Sequence, residues 1–159
     1  MIDPSEFRRV MGHFASGVAV VTTWGTDGKA YGLTASAVCS VSLQPTLLLV
    51  CIERTADSHD HIRAAGAFAI NVLDATKGES LARRFAAGDE PDKFQGVALR
   101  QERSGAPVLS DALAWLDCEV RETWDGGDHT IFLGEVAAAD ARAGSPLLYY
   151  RGGYGRFIP

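Results

Sequence analysis

Eight short runs of β-branched and apolar residues, separated by turn residues, constrain the fold of this chain more than any other feature. They predict strands at residues 18–24, 29–34, 38–42, 46–52, 68–73, 116–121, 130–138 and 147–150. Residues 46–52 are apolar almost throughout, which predicts a strand that is buried on both faces. Residues 116–121 alternate between apolar and polar, which predicts a strand with one face in contact with water.

Three helices are predicted between these strands. The first begins after Asp3, which can cap it, and ends at Gly17. Its apolar residues lie on one face and are Phe7, Val10, Met11 and Phe14. The second covers residues 58–65 and ends at Gly66, and the third covers residues 76–87. A polar surface loop is predicted at 88–105. Many short strands and few helices predict a mainly β fold, a barrel with peripheral helices.

Length, charge and cysteine content exclude several classes of protein. The 159 residues fit one domain spanning 1–159, and the net charge of −5 makes nucleic acid an unfavourable partner. No apolar run approaches the roughly 20 residues of a membrane-spanning helix, and the N-terminus lacks the pattern of a signal peptide. Three widely spaced cysteines, without a Cys-x-x-Cys pair, predict reduced thiols and a cytoplasmic location.

The segment 32–45 is the most informative for function, because small and hydroxyl residues alternate there with apolar ones. Thr34 and Ser36 are two residues apart, as are Ser40 and Ser42, so each pair shares a face if the backbone is extended. Small side chains let the backbone approach a flat ligand, and the hydroxyls offer hydrogen-bond donors. A strand edge with its polar residues in water would give the same pattern, so both interpretations stay open.

Two further positions are candidates, each with a purely structural alternative. Ser58 starts a predicted helix, where its hydroxyl and the N–H groups behind it suit a phosphate, or where it only caps the helix. His129 follows Gly127 and Asp128 in a predicted hairpin, where its ring can meet a second reactant or can be an ordinary turn residue. The four histidines show no zinc-binding spacing, so no metal site is predicted.

Taken in order, the motifs of almost the whole chain resemble those of the flavin reductase family, the short reductases that serve two-component flavin monooxygenases. The most specific are Gly32-Leu33-Thr34-Ala35-Ser36, Ser40-Val41-Ser42-Leu43-Gln44-Pro45 and Gly127-Asp128-His129. Further matching segments are residues 15–23, 68–73, 92–94, 134–136 and 146–151. The resemblance implies a split β-barrel that binds flavin as a homodimer, with the sites near the subunit interface.

The resemblance also implies the site residues. Those implied for flavin, from the isoalloxazine ring to the phosphate tail, are Leu33, Thr34, Ala35, Ser36, Ser40, Val41, Ser42, Cys51, Ile52, Glu53, Ser58, His59, Phe85, Lys93 and Phe94. Those implied for NAD(P)H are His129, which positions the nicotinamide, and Tyr150, Arg151 and Tyr154.

Three functions fit the sequence. The first is an oxidoreductase that transfers hydride from NADH or NADPH to FMN or FAD and supplies the reduced flavin, by diffusion, to a partner monooxygenase. The second is a flavin-binding module without turnover. The third is a self-contained flavoenzyme with its own organic substrate. The Gly-Asp-His motif favours the first, because a flavin carrier needs no nicotinamide site.

Overall fold

The computed structural model describes residues 1–88 and 90–158 and contains twelve strands and three helices in that part of the chain. The helices are α1 (Pro4–Met11), α2 (Ser58–Ala65) and α3 (Gly78–Ala86). The strands are β1 (Ser16–Gly17), β2 (Ala19–Trp24), β3 (Ala30–Ala35), β4 (Val38–Leu43), β5 (Thr46–Glu53), β6 (Ala67–Val72), β7 (Leu99–Gln101), β8 (Pro107–Leu109), β9 (Ala114–Gly126), β10 (His129–Ala141), β11 (Leu147–Tyr150) and β12 (Gly153–Arg156).

Seven of the strands form one antiparallel sheet in the order β3-β2-β6-β9-β10-β5-β4. The sheet curls until β3 lies against β5, although the two are not hydrogen-bonded neighbours. The result is a barrel that stays open between its edge strands, with α2 packed against β2 and α3 against β3. The predicted fold class, a mainly β split barrel with peripheral helices, is confirmed.

The sheet is buried on both faces at its centre, which produces two core clusters. Successive side chains of a strand point to opposite faces, and β2 shows this directly. Val20 packs on the side of α3 with Phe85 and Val108, whereas Val21 packs on the other side with Phe68 and Phe132. All six side chains are almost completely buried. The two clusters hold the strands that carry the predicted site in fixed positions.

Helix α2 ends as predicted, because Gly66 adopts the left-handed conformation, with φ 66°, that glycine accommodates without strain.

Helix α1 is shorter than predicted. It ends at Met11, because the chain must become extended for Ser16 to pair with Tyr149 in a separate three-stranded sheet. The predicted apolar face of α1 is present but exposed, since Phe7, Val10 and Met11 are each about half exposed.

Strand β9 departs from the predicted pattern of one wet face. Asp117, expected in water, is completely buried and accepts hydrogen bonds from the backbone N–H of Ser104, at 2.6 Å, and from its hydroxyl. Alternation of residue types predicts exposure only where no other segment covers the polar face. Here residues 102–106 cover it, and the carboxylate is buried because Ser104 satisfies it.

Strand β5 is less buried than predicted, whereas β9 is more buried. Leu48, Val50 and Ile52 are buried, but the alternate residues, including Leu47 and Leu49, are only half-buried. The apolar run therefore has one core face and one face that no other described element covers completely. Strands β7, β8 and β12 were not predicted, because they are only three or four residues long, and β8 and β12 also contain proline or glycine.

Candidate functional site

The end of β3 and the link that follows it combine fixed and exposed residues. Thr34 donates a hydrogen bond from Oγ1 to the carbonyl oxygen of Ala82 on α3, at 2.6 Å. Leu33 and Ala35 face the core, and Ala35 is only 8% exposed. Ser36 is exposed in the link to β4. A ligand at this segment can therefore meet the side chain of Ser36, but it reaches Ala35 only through the backbone.

Ser40, Val41 and Ser42 lie on the edge strand β4, and there the prediction of a shared face is wrong. Ser40 is opposite Leu48 and Ser42 is opposite Leu47, because a β-bulge shifts the register between the two serines. Neighbouring residues of β5 point to opposite faces, and so do the two serines. The sequence pattern did not reveal the inserted residue. Ser40 and Val41 are exposed and Ser42 is half-buried.

The C-terminal end of β5 pairs with the start of β10, which places Glu53 directly opposite His129. Of the predicted residues in β5, Ile52 is completely buried in the core, whereas Cys51 is partly exposed and Glu53 exposed. Partial burial raises the pKa of the Cys51 thiol, so this residue is a neutral group in the site. The β5–β10 pairing therefore brings one predicted flavin segment beside the predicted nicotinamide residue.

The imidazole of His129 is held in a defined orientation. Its Nδ1 lies 2.7 Å from Oδ1 of Asp128, and the side chain is 40% exposed. The hydrogen bond from this ring is the largest cause that lowers the pKa of Asp128. A carboxylate acceptor fixes the proton on Nδ1 of a neutral ring, so Nε2 is left as a hydrogen-bond acceptor.

Arg54 is a functional neighbour that the sequence did not single out. Its guanidinium lies 3.0 Å from a carboxylate oxygen of Asp125, and its backbone N–H donates to the carbonyl of Asp128 at 3.0 Å. These two contacts of Arg54 attach the hairpin that carries His129 to the end of β5. Its position directly after a predicted buried strand was the only signal in the sequence.

The start of α2 contains an unusual polar group. The hydroxyl of Ser58 is buried, the residue being 2% exposed, and this Oγ has no hydrogen-bond partner among the described residues. Asp57, at the N-cap position, makes no side-chain capping bond. A buried hydroxyl without a partner is costly, and such groups often await a ligand. The observation favours the phosphate interpretation of Ser58 over that of a helix cap.

His59, predicted for the same phosphate, is already engaged. Its Nε2 lies 2.8 Å from Oγ1 of Thr130 and its Nδ1 lies 2.8 Å from Oδ1 of Asp60. The residue is 5% exposed. Thr130, another residue that sequence reasoning missed, thus joins α2 to the strand that carries His129. The structure gives His59 a positioning role between these two elements.

The residues predicted at the flavin tail lie on α3 and in the segment after it. Phe85 is buried and meets the ring of Phe94 edge-on, with the ring centroids 4.8 Å apart. Lys93 and Phe94 are half-buried and line a cavity of about 540 Å³ together with residues 29–32 of the β3 edge. A larger cavity of about 750 Å³, on the other side of α3, contains none of the predicted site residues.

Tyr150, Arg151 and Tyr154 lie in the β11–β12 hairpin, which belongs to a different sheet. Tyr150 and Arg151 are exposed, and the ring of Tyr154 is half-buried beneath the guanidinium of Arg83, 4.9 Å from its centroid. Among the described residues, no hydrogen bond or ring contact joins any of these three to His129. Their predicted role toward NAD(P)H stays a prediction.

Among residues 1–88 and 90–158, no group of three or more His, Cys, Asp and Glu side chains is arranged to hold a metal ion. In the same part of the chain, no helix has both the length and the apolar character needed to cross a membrane.

A curled antiparallel barrel with a small-residue segment at its open edge and an unpartnered hydroxyl at a helix start is an architecture that suits a flat ligand carrying a phosphate. The chain belongs to the flavin reductase like domain family, whose model matches residues 11–157. The family predicted from the motifs is therefore confirmed, and with it the enzyme class, an oxidoreductase that acts on flavin.

Three similar proteins extend this finding. The reductase component of 4-nitrophenol 4-monooxygenase/4-nitrocatechol 2-monooxygenase from Rhodococcus opacus is 46% identical, over 99% of this chain and 83% of its own. The NADH:FAD oxidoreductase of Streptomyces globisporus, solved with NAD and FAD fragments, is 40% identical with a TM-score of 0.90, over 100% and 97% of the two chains. Nitrilotriacetate monooxygenase component B from Mycobacterium thermoresistibile is 37% identical with a TM-score of 0.91, over 98% and 87%.

The residues present fit a flavin. The unpartnered hydroxyl of Ser58 at the start of α2 offers a donor for a phosphate, whereas the N–H of His59 behind it already donates to the carbonyl of Ala56, and the exposed link at Ser36 leaves room for a flat ring. The link lies next to β5, because the carbonyl of Ala37 accepts a hydrogen bond from the N–H of Cys51 at 3.1 Å.

Proposed function

We propose that the protein uses NADH or NADPH to reduce FMN or FAD and supplies the reduced flavin to a partner monooxygenase. The observation that carries the proposal is the unpartnered hydroxyl of Ser58, buried at a helix start beside the β5–β10 edge that bears His129. The relatives support it, since they include monooxygenase reductase components and an NADH:FAD oxidoreductase.

The bound flavin supplies the chemistry, which is to accept a hydride from the nicotinamide. The protein contributes position and electrostatics. Ser58 and the N-terminus of α2 bind the phosphate, and the Ser36 link gives the ring a surface without bulky side chains. His129, whose Nδ1 is held by Asp128, would present its Nε2 to the nicotinamide carboxamide. Hydride transfer requires close stacking of the two rings, so these residues would act by holding the flavin where the nicotinamide can approach it.

A direct test is to mix purified protein, NADH and excess FMN and to follow the nicotinamide absorbance. We expect NADH oxidation that depends on both protein and flavin. Flavin binding without turnover would favour a binding module, and turnover that starts only when an organic substrate is added would favour a self-contained flavoenzyme. Inhibition by a chelator that zinc reverses would contradict the metal-free mechanism.

We expect Ser58→Ala to have opposite effects on the fold and on binding. The free energy of unfolding of the flavin-free protein should rise by about 1 kcal/mol, because a buried unpaired hydroxyl is removed. The affinity for FMN should fall about tenfold, because one phosphate donor is lost. Urea unfolding and equilibrium dialysis measure the two effects, and Ser80→Ala on α3 is the matched control. A loss of stability with unchanged FMN affinity would indicate that Ser58 only caps the helix.

We expect His129→Ala to raise the KM for NADH while flavin affinity stays nearly constant. Loss of one hydrogen bond and one packing contact corresponds to about a tenfold decrease in kcat/KM. Steady-state kinetics with varied NADH, together with FMN dialysis, separate the two ligands. A decrease of many orders of magnitude would indicate an obligatory proton transfer, and no change in either constant would make His129 a simple hairpin residue.

We also propose a homodimer. Phe7, Val10 and Met11 are exposed on α1 and Phe14 is exposed just after it, and the outer face of β5 is only half covered. Exposed apolar surfaces of this kind mark interfaces between subunits. Sedimentation velocity at micromolar concentration should give the mass of two chains, and a stable monomer would contradict the proposal.

Transfer of the reduced flavin by diffusion and a cytoplasmic location complete the proposed function. The exposed link at Ser36 supports exchange of the flavin, and the free thiols of Cys39, Cys51 and Cys118 support a reducing compartment.

A further inference from the structure

The cavity of about 750 Å³ beside α3, named here the α3 cavity, has no role in the function proposed above. It is lined by residues of the segments 73–84, 95–98 and 109–112, together with Arg142. None of the residues predicted for flavin or for NAD(P)H is among them. Its volume lies within the range of roughly 300–1,000 Å³ that is typical of small-molecule sites. The α3 cavity is therefore a candidate for a second, separate ligand.

The hydrophobic core forms one wall of the α3 cavity. Leu73 and Leu109 are each 2% exposed and belong to the core cluster on the α3 side of the sheet. Leu81 and Val97 pack against the same cluster but are only half-buried, so part of each side chain is left for a ligand to cover. Removing such apolar surface from water stabilises a complex. This wall favours a ligand with an apolar body.

One carboxylate of the α3 cavity is already satisfied. Asp74 accepts hydrogen bonds from the backbone N–H and the hydroxyl of Thr76, at 2.7 and 2.5 Å, and its other oxygen lies 3.2 Å from the guanidinium of Arg142. The hydrogen bond from the Thr76 hydroxyl is the largest cause that lowers the pKa of Asp74. Asp74 is therefore ionised and paired with Arg142, and the two charges compensate each other.

Two further cations line the α3 cavity, Lys77 and Arg84. Arg84 is half-buried and donates from Nη1 to the carbonyl of Gln95 at 3.0 Å, which fixes the guanidinium and leaves its other N–H groups for a ligand. The side chain of Lys77 is exposed and has no hydrogen bond or ion pair among the described residues. Only one more carboxylate, that of the exposed Asp111, is among the described lining residues. This local excess of positive charge, in a chain of net charge −5, favours an anion with a single charge.

We infer that the α3 cavity binds a small organic monocarboxylate with an apolar body, such as an aromatic acid. The apolar body packs against Leu81 and Val97, and the carboxylate accepts hydrogen bonds from the guanidinium of Arg84 and the ammonium of Lys77. A planar guanidinium matches a carboxylate through two parallel hydrogen bonds. The site is separate from the proposed flavin site, so the inference does not depend on the proposed function.

The test is to titrate benzoate into the purified protein by isothermal titration calorimetry. We expect saturable binding at one site per chain, with a dissociation constant of about 1 mM or lower. Benzamide keeps the ring but has no charge, and acetate keeps the charge but has no apolar body. Each should bind at least about tenfold more weakly than benzoate. Absence of saturable benzoate binding, or equal binding of benzoate and either analogue, would overturn the inference.

Three variants and one competition experiment locate the site. Lys77→Gln and Arg84→Gln should each weaken benzoate binding about tenfold, whereas Arg83→Gln, on α3 but outside the cavity, should leave it unchanged. Urea unfolding checks that each variant is folded, and Lys77→Gln still decides if the loss of the Arg84 bond to Gln95 disturbs the fold. Excess FMN should not displace benzoate. Normal binding by folded Lys77→Gln, or displacement by FMN, would overturn the inference, because benzoate would then bind elsewhere.

Discussion

Replacing Ser36 with leucine should weaken FMN binding about a hundredfold, a loss of roughly 2.7 kcal/mol, and should change the stability of the flavin-free protein very little. Ser36 is exposed in the short link between β3 and β4, so the fold has room for a larger side chain. The same room is what the isoalloxazine ring requires, and a branched side chain would occupy it. The neighbouring Ala37 is fixed to Cys51, so the link cannot easily move away.

Equilibrium dialysis with FMN and urea unfolding of the same samples measure the two effects. Ser80→Leu is the matched control, because Ser80 is also exposed but lies on α3. It should leave FMN binding unchanged. Normal FMN binding by Ser36→Leu would mean that the ring lies elsewhere, and weak binding accompanied by a large loss of stability would mean that Ser36 supports the fold.

Replacing Asp117 with alanine should lower the free energy of unfolding by about 3 kcal/mol. Its buried carboxylate accepts hydrogen bonds from the backbone N–H and the hydroxyl of Ser104. Without it, residues 102–106 lose their attachment to β9 and a backbone N–H loses its acceptor. Hydrogen bonds to a charged group contribute about 1.5–3 kcal/mol each, and part of this returns when water reaches Ser104.

Chemical unfolding measures this effect, with Glu119→Ala as the control. Glu119 lies two residues further along β9 and is exposed, so its replacement should change stability by less than about 0.5 kcal/mol. Ser104→Ala should be destabilising but milder, because the backbone N–H of residue 104 keeps its acceptor. Equal effects of the Asp117 and Glu119 replacements would contradict the assigned role of the buried carboxylate.

Local sequence patterns predicted those parts of the fold that local physics decides. Helix α2 ends at Gly66 because only glycine adopts that backbone conformation easily, and this is visible in the sequence. The burial of Asp117 was not predictable, because it depends on a segment that reaches β9 only in the folded chain. The end of α1 was misplaced for the same reason, since the pairing of Ser16 with Tyr149 requires extended backbone there.

In the candidate site too, local patterns predicted some features and missed those that depend on the folded chain. The sequence placed Ser36 between two predicted strands and His129 in a hairpin, and the structure has Ser36 in the link before β4 and His129 at the start of β10. They did not reveal the bulge that separates Ser40 from Ser42, because an inserted residue leaves no mark in the pattern of residue types. They also missed Thr130 and Arg54, whose roles arise from contacts with His59 and Asp125 across the barrel.

The strand order of the large sheet has a consequence for the kinetics of folding. The pairs β2–β3, β4–β5 and β9–β10 are local hairpins, which form on a timescale of roughly 1–10 μs in isolation. Joining β5 to β10 and β6 to β9 closes long loops, which is the slower, entropically costly step. Glu53 and His129 meet only in that step, so the ability to bind both reactants should arise late during refolding, after most secondary structure has formed.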